Sequence, residues 1–331
     1  MSLRIAVLGR GAWGQTLADL WTSQGHQIQG WSRRDGTDPR PSLVGADVAV
    51  VAVSLAAIES LATALGTDWP SDLPLISCSK GIDLDQLATP SQLWQRRLGP
   101  IPLLALSGPN LATELQRGLP AASVLACTDG ELASRLQTQL SGESLRLYTN
   151  QDPIGTEVSG ALKNVMAVAA GIADGLQLGA NAKASLLCRG LAEIGVVLRG
   201  FGGQIETLYG LAGLGDLLAT SYSPLSRNYR CGLLLAEGRT EAEATAALAA
   251  TVEGPRTARA ALRLAQEKSW YLPICEQVVS VLDGLTQPGQ AVRVLMERDL
   301  KPELPRCLQR WYRSQQTLRP IRPGRRTMFM F

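Results

Sequence analysis

Histidine is nearly missing from this chain of 331 residues: only His26 is present. That argues against a histidine-based metal site and a Ser-His triad as bases for function. His26 lies at the turn into the second apolar run, where a surface position is expected. Cysteine is sparse too. The six cysteines (78, 127, 188, 231, 275 and 307) are scattered, and none forms a C-x-x-C pair. They read as reduced thiols of a cytoplasmic protein. No apolar run reaches 18 residues, so neither a membrane span nor integral membrane contact is expected. A strand pattern begins at Leu3, which leaves no room for a signal peptide.

Excess charge of either sign is also absent from most of the chain. The formal net charge is +3, but residues 301–331 hold eight Lys/Arg and one acid. The tail is therefore +7 and the preceding 300 residues are −4, which excludes a nucleic-acid-binding body. With prolines at 302, 305, 320 and 323, the tail reads as a flexible basic extension. A contact with anionic lipid or another acidic surface is one reading of it.

What is present concentrates in the first 34 residues. Leu3 to Leu8 leads into Gly9-Arg10-Gly11-Ala12-Trp13-Gly14, followed by helical periodicity and a second extended run, Gln27 to Trp31. Strand, glycine turn, helix and strand is the order that a dinucleotide site needs. Gly9 permits the tight turn, Gly11 lets backbone amides approach a pyrophosphate, and Gly14 lets the helix pack on the strand. The helix N-terminus then offers free N–H groups to the phosphates. An NAD site usually places an acid about 20 residues past the glycines to hold the ribose 2′-hydroxyl. Here Arg33 and Arg34 stand there, which suits the 2′-phosphate of NADP(H), although Asp35 is adjacent. Two solvated surface arginines are the alternative.

Further apolar strands are expected at 48–53, 73–77, 103–106, 123–127 and 145–149, with helices at 56–65 and 129–140. This alternation predicts a doubly wound, Rossmann-type parallel sheet covered on both faces. Ser54, Lys80 and Gly108 fall at strand C-terminal ends, where ligands of such sheets bind. Only 12 residues separate Arg34 from Asp47, and Pro39 and Pro41 interrupt them; a loop over the sheet edge must replace a crossover helix. Beyond Pro153 the pattern is helical: 157–174, 180–201, 240–250, 255–268 and 278–285, with a Gly-rich loop around 210–215. The expected organisation is a dinucleotide-binding domain over 1–150, an all-α substrate domain over 151–300 and the tail over 301–331.

Four clusters carry chemistry: Ser79-Lys80-Gly81-Ile82, the run Gly108 to Glu114, Gly160-Ala161-Leu162-Lys163-Asn164, and Gly213 to Thr220 followed by Ser226-Arg227-Asn228. Lys163 is the most informative, being a lysine inside an otherwise apolar helix. Burying it is costly unless it is paired, and Asn164 and Asp216 are able to hold an ammonium. The alternative is an exposed lysine on a polar helix face. Buried beside other cations, a lysine falls from about 10.4 toward neutrality and becomes competent to exchange a proton with an alcohol.

The motifs G-x-G-x-W-G at 9–14, S-K-G at 79–81, S-G-P-N-x-A-x-E at 107–114, G-A-L-K-N at 160–164, G-x-G-D-x-x-x-T at 213–220, S-R-N at 226–228 and V-E-G at 252–254 run in one order. Together they resemble the bacterial NAD(P)-dependent glycerol-3-phosphate dehydrogenases over residues 1 to about 300. The resemblance implies interconversion of sn-glycerol 3-phosphate and dihydroxyacetone phosphate with NADP(H) and/or NAD(H), supplying phospholipid precursors. It implies Lys163 as proton donor and acceptor. Lys80, Asp216, Thr220 and Asn164 would surround the substrate carbonyl and hydroxyls. Gly108, Asn110, Ser226, Arg227 and Asn228 complete the implied substrate site, with Arg227 and Asn228 as phosphate clamp. Gly9, Gly11, Ala12, Trp13, Gly14, Arg33, Arg34, Lys80, Ala112, Arg227 and Glu253 are the implied cofactor contacts. No metal is required. The 35–46 segment is shorter than the family's, which usually adds a helix there, and the basic tail lies outside the match. A homodimer is expected from the large apolar helices.

Two other readings remain at this level. A β-hydroxyacid dehydrogenase shares the two-part plan and the helix lysine followed by asparagine, but Ser226-Arg227-Asn228 favours a phosphorylated substrate. A non-catalytic dinucleotide sensor would have no use for Lys80, Lys163, Asp216 and Arg227 together.

Overall fold

In the computed structural model the described residues are 2–66, 69–249, 251–300 and 302–303. The chain divides into two units, Met1–Leu295 and Met296–Phe331. The expectation of a flexible tail falls, apart from residues 302 and 303, outside the described residues.

Residues Met1–Leu295 begin with β1 (Arg4–Leu8), α1 (Ala12–Ser23), β2 (Gln27–Trp31), β3 (Val48–Val51), α2 (Ile58–Leu65), β4 (Leu75–Ser77) and α3 (Pro90–Leu98). Then come β5 (Leu103–Ser107), α4 (Ala112–Leu115), β6 (Ala121–Ala126), α5 (Gly130–Leu140) and β7 (Leu145–Asn150). The seven strands form one sheet in the order β2-β1-β3-β4-β5-β6-β7. β1 to β5 run parallel, with Leu8 opposite both Trp31 and Val51, and Ser77 opposite both Val51 and Ala105. This register brings the C-terminal ends of the parallel strands to one edge, so the residues after Leu8, Ser77 and Ser107 share that edge. Leu17, Trp21 and Leu136 cover one face, and Ile58, Trp94 and Leu93 cover the other. The sheet is thus doubly wound, as its near-continuous Val/Ile/Leu strands require.

Three expectations need correction. β6 pairs antiparallel with β5, and β7 runs parallel to β6, so the last two strands reverse the sheet. The link between β5 and β6 holds only the single turn of α4 and no full crossover helix of the kind that usually joins parallel neighbours. His26 is buried: its Nδ1 accepts from the Leu3 amide at 3.0 Å and its Nε2 lies 3.0 Å from the Gln139 carbonyl. The 35–46 link, as expected, carries no crossover helix. It closes into 3₁₀ turns at Arg33–Asp35 and Arg40–Leu43, and Leu43 packs with Ala6, Leu8 and Val51. The Gly-rich 210–215 stretch is not a loop; Leu211–Gly215 forms a π turn that runs directly into a helix.

After β7 the chain is helical: α6 (Pro153–Gly175), α7 (Gly179–Gly200), α8 (Asp216–Tyr222), α9 (Arg227–Ala236), α10 (Glu241–Leu248), α11 (Gly254–Lys268), α12 (Pro273–Leu282) and α13 (Pro288–Met296). Asp152 caps α6 by accepting from the Gly155 amide, and its second oxygen accepts from the Gln204 amide and the Thr207 hydroxyl. α6 is buried from Gly155 to Ala173, which makes it the axle around which α7, α8, α9 and α11 pack. Among the described residues, no helix is long and apolar enough to cross a membrane.

Candidate active site

Lys163 occupies the middle of the buried α6, with only 7% of its surface exposed. Two of the three N–H donors of its ammonium are engaged. Nζ donates to Asp216 Oδ1 at 2.8 Å and to Thr220 Oγ1 at 2.5 Å. Asp216 and Thr220 are four residues apart on α8 and therefore face the same way; the Thr220 hydroxyl donates in turn to Asp216 Oδ1 at 3.1 Å. The other carboxylate oxygen, Oδ2, accepts from Lys80 Nζ at 2.5 Å. Lys80, three residues beyond β4, also donates to the Gly108 carbonyl at 3.3 Å. One buried carboxylate thus holds two ammonium groups, one on each oxygen. Lys80 is the more exposed of the two.

The charges set the protonation states. Burial pulls Lys163 down to about 8; Asp216 opposes that fall and the Lys80 charge adds to it. Asp216 would be pushed up by burial, but Lys163 and Lys80 together outweigh it and hold the carboxyl below its usual range. Glu253 is raised by burial against the pull of Arg227, Lys80 and Lys163. The site therefore offers a lysine able to change protonation at about pH 8 beside the Asp216 carboxylate.

Close packing of α6 on α9 sets where Arg227 stands. A Cβ on Gly171 would lie 2.0 Å from the Tyr229 carbonyl oxygen, and one on Gly232 would lie 2.1 Å from that of Val168. A Cβ on Gly175 would likewise lie 2.5 Å from the Ala236 Cβ, so glycines are what let these helices approach so closely. Ser226 caps α9 by accepting from the Tyr229 amide at 3.2 Å, and Arg227 follows as the first helical residue, exposed. A guanidinium beside free helix N–H groups suits a phosphate. Asn228 Oδ1 accepts from the Gly254 amide at 2.9 Å, tying α9 to the start of α11 and to the adjacent Glu253. Asn164 is buried next to Lys163. Asn110 is turned toward β6, where its Oδ1 accepts from the Ser123 hydroxyl at 2.6 Å.

The cofactor cradle passes a steric test. Gly9 has φ +99°, and a Cβ on Gly14 would lie 1.9 Å from the Gly9 carbonyl oxygen, so α1 sits hard against the turn. Nothing stands within 4 Å of a Cβ on Gly11, and no side chain caps the start of α1. Open space in front of uncapped N–H groups is what a pyrophosphate needs. Trp13 is half-buried behind the turn, Ala12 opens α1 and Ala112 opens α4. Arg33 and Arg34 are exposed at the end of β2. The Asp35 carboxylate is turned back to accept from the Ser32 amide at 2.9 Å, closing a capping box.

Two residues escaped the sequence reading. Ser107, at the end of β5, has a buried hydroxyl without a partner among the described residues, facing the space left by Gly160. Its place as first letter of the Ser107-Gly108-Pro109-Asn110 turn was the available signal. Arg10, inside the glycine fingerprint, carries no signal in a pattern that leaves its position open.

Comparison with known proteins follows the same lines. The family model described as NAD-dependent glycerol-3-phosphate dehydrogenase N-terminus matches residues 4–37 and 35–133, two pieces that meet at the short link after β2. The model described as the C-terminus of the same enzyme matches 152–293. Glycerol-3-phosphate dehydrogenase [NAD(P)+] of Synechococcus sp. strain RCC307 is 54% identical over 303 residues, 92% of this chain and 100% of the relative. The protein of the same name from Nostoc sp. strain PCC 7120 is 44% identical over 300 residues, 90% of this chain and 98% of the relative. The crystal structure of glycerol-3-phosphate dehydrogenase from Coxiella burnetii superposes with a TM-score of 0.84 at 34% identity, covering 90% of this chain and 99% of that one.

Proposed function

The chain belongs to the NAD-dependent glycerol-3-phosphate dehydrogenase family, and from that premise we propose a division of labour among its site residues. The protein interconverts sn-glycerol 3-phosphate and dihydroxyacetone phosphate with NAD(P)(H). When bound, the nicotinamide supplies or accepts the hydride. Lys163 moves the proton: its ammonium gives one to the substrate oxygen during reduction, and its neutral amine takes one during oxidation. Lys80 stabilises the negative charge that develops on that oxygen. Asp216 keeps both lysines in place, and Thr220 and Asn164 fix the direction of the Lys163 amine. Arg227, at the N-terminus of α9, binds the substrate phosphate, with Asn228, Ser226, Gly108 and Asn110 shaping the site around it. Phosphate held away from the carbonyl orients the substrate for attack. Gly9, Gly11, Ala12, Trp13, Gly14, Ala112 and Glu253 line the dinucleotide path, with Arg33 and Arg34 at a 2′-phosphate.

The observation that carries this reading is the single Asp216 carboxylate bridging Lys163 at 2.8 Å and Lys80 at 2.5 Å. The experiment is the loss of NADPH absorbance with dihydroxyacetone phosphate. Wild-type turnover that disappears in a folded Lys163→Ala protein supports the assignment; undiminished turnover in that variant contradicts it.

We further propose that residues 1–150 are the dinucleotide domain, 151–300 the substrate domain and 301–331 an appendage outside catalysis. A cytoplasmic location is supported by the five free cysteines among the described residues. A homodimer is supported by exposed apolar side chains at Tyr209, Tyr271 and Leu285, and light scattering at micromolar protein tests it.

A further inference from the structure

Arg10 fills the open position between Gly9 and Gly11, and its side chain leaves the turn in a defined direction. Its Nε donates to Gln15 Oε1 at 3.1 Å, and the Gln15 amide nitrogen donates to Asp19 Oδ1 at 2.7 Å, so α1 fixes the stem from one side. On the other side the stem lies across β2. A Cβ on Gly30 would stand 2.8 Å from Arg10 Cδ and 3.2 Å from Nε. Glycine is a poor strand residue, and at this point of β2 its missing side chain is what seats the arginine. The next residue, Trp31, accepts the Gly9 amide at 2.9 Å. Arg10 therefore lies over the same strand end from which Ser32, Arg33 and Arg34 emerge.

The charges at this corner are unbalanced. Arg33, Arg34 and the two Nη groups of Arg10 have no acidic partner among the described residues. The nearby acids are committed elsewhere: Asp35 to the Ser32 amide and Asp38 to Arg40. Three guanidinium groups left without a counter-anion beside a dinucleotide cradle form a site for a dianion. The short 35–46 link, folded down through Leu43, leaves this corner to the arginines.

We propose that Arg10 is a specificity-determining residue of the cofactor site, binding the adenosine 2′-phosphate of NADP(H) from above β2 while Arg33 and Arg34 bind it from the strand end. This rests on the reading of Arg33 and Arg34 given above. Its two free Nη groups match a bidentate contact, and the Gly30 seat holds them in place before the cofactor arrives.

The test is calorimetric binding of 2′,5′-ADP and of 5′-ADP, which differ only in the 2′-phosphate, to wild type, Arg10→Ser and Gly30→Ala. Wild type should prefer 2′,5′-ADP. In Arg10→Ser that preference should shrink by about tenfold to a hundredfold, the worth of charge-assisted hydrogen bonds. Gly30→Ala keeps every arginine but displaces the Arg10 stem, and should shrink the preference in the same direction. If wild type prefers 2′,5′-ADP and Arg10→Ser keeps that preference in full, the role of Arg10 is overturned while that of Arg33 and Arg34 stands. If wild type binds both nucleotides equally, the 2′-phosphate site itself is overturned.

Discussion

A lysine that exchanges protons near neutrality must be desolvated, yet it must not be locked into its charged form by the acid that holds it. Lys163 meets both conditions because Asp216 is shared. Lys80 takes one carboxylate oxygen and screens the attraction that would otherwise raise Lys163. Burial then prevails, and the group sits at about 8. The sign of the pH dependence follows. On the role proposed for Lys163, reduction of dihydroxyacetone phosphate uses the protonated amine, so its rate should fall as pH rises through about 8; oxidation of glycerol 3-phosphate should rise across the same interval. Profiles of kcat against pH in both directions check this. Replacing Asp216 with Asn removes the only carboxylate hydrogen-bonded to either ammonium among the described residues. An uncompensated buried charge costs about 3–5 kcal/mol, so Asp216→Asn should lower stability in urea titration by an amount of that order and abolish turnover. At this scale much was legible in the sequence. A lysine within an apolar helical run, followed by asparagine, was readable because burial of charge is costly and thus conspicuous. His26 was not: one imidazole at a turn looks like surface until Leu3 and Gln139 are seen to close over it.

At the scale of elements, the site depends on helices that touch backbone to backbone. Gly171 and Gly232 let α9 approach α6 so closely that Arg227 and Asn228 reach the neighbourhood of Lys163. Gly232→Ala should overpack this crossing, with a cost of about 1–3 kcal/mol, and should raise KM for dihydroxyacetone phosphate as α9 is displaced. Thermal unfolding and steady-state kinetics measure the two effects. A second junction is Glu157 on α6, whose carboxylate accepts from the Ser91 amide at 2.9 Å and from its hydroxyl at 2.6 Å, at the start of α3. Burial raises this carboxyl to about 7, against the hydrogen bonds from Ser91 and Thr89. A carboxyl raised above its unfolded value binds more protons when folded, so its contribution to stability declines as pH rises from about 4.5 to about 7. Glu157→Gln should therefore gain stability relative to wild type over that interval, as read from denaturant midpoints at pH 5 and pH 8. Strand and helix identity was legible here from periodicity. The reversal of β6 and β7 was not, because direction depends on whether the connection forms a crossover helix, which α4 does not, rather than on the strand pattern. Likewise, glycines at 210–215 read as a loop, yet a π turn with Leu211 packed under the sheet delivers Asp216 to α8.

At the scale of the whole molecule, the sheet and the helices from Pro153 onward belong to one compact unit, Met1–Leu295. The proposed active site draws Lys80 from the first part and Lys163, Asp216 and Thr220 from the second, and the Glu157–Ser91 contact joins the same two parts. Unfolding followed by far-ultraviolet dichroism and by tryptophan fluorescence should accordingly give a single coincident transition. The family match ends at residue 293, so a chain ending at residue 303 should keep kcat/KM for dihydroxyacetone phosphate within about twofold of the full chain, given that surface changes away from a site are usually small. The measurement that bears most directly on the central claim concerns the proton carried by Lys163. Lys163→Ala, shown to be folded and to bind nucleotide, is assayed for dihydroxyacetone phosphate reduction with and without added ethylamine. Turnover should be lost by at least about a hundredfold and partly restored by the amine, more so the closer the pH allows the free amine to be protonated. Turnover close to wild type without the amine would contradict the role assigned to Lys163.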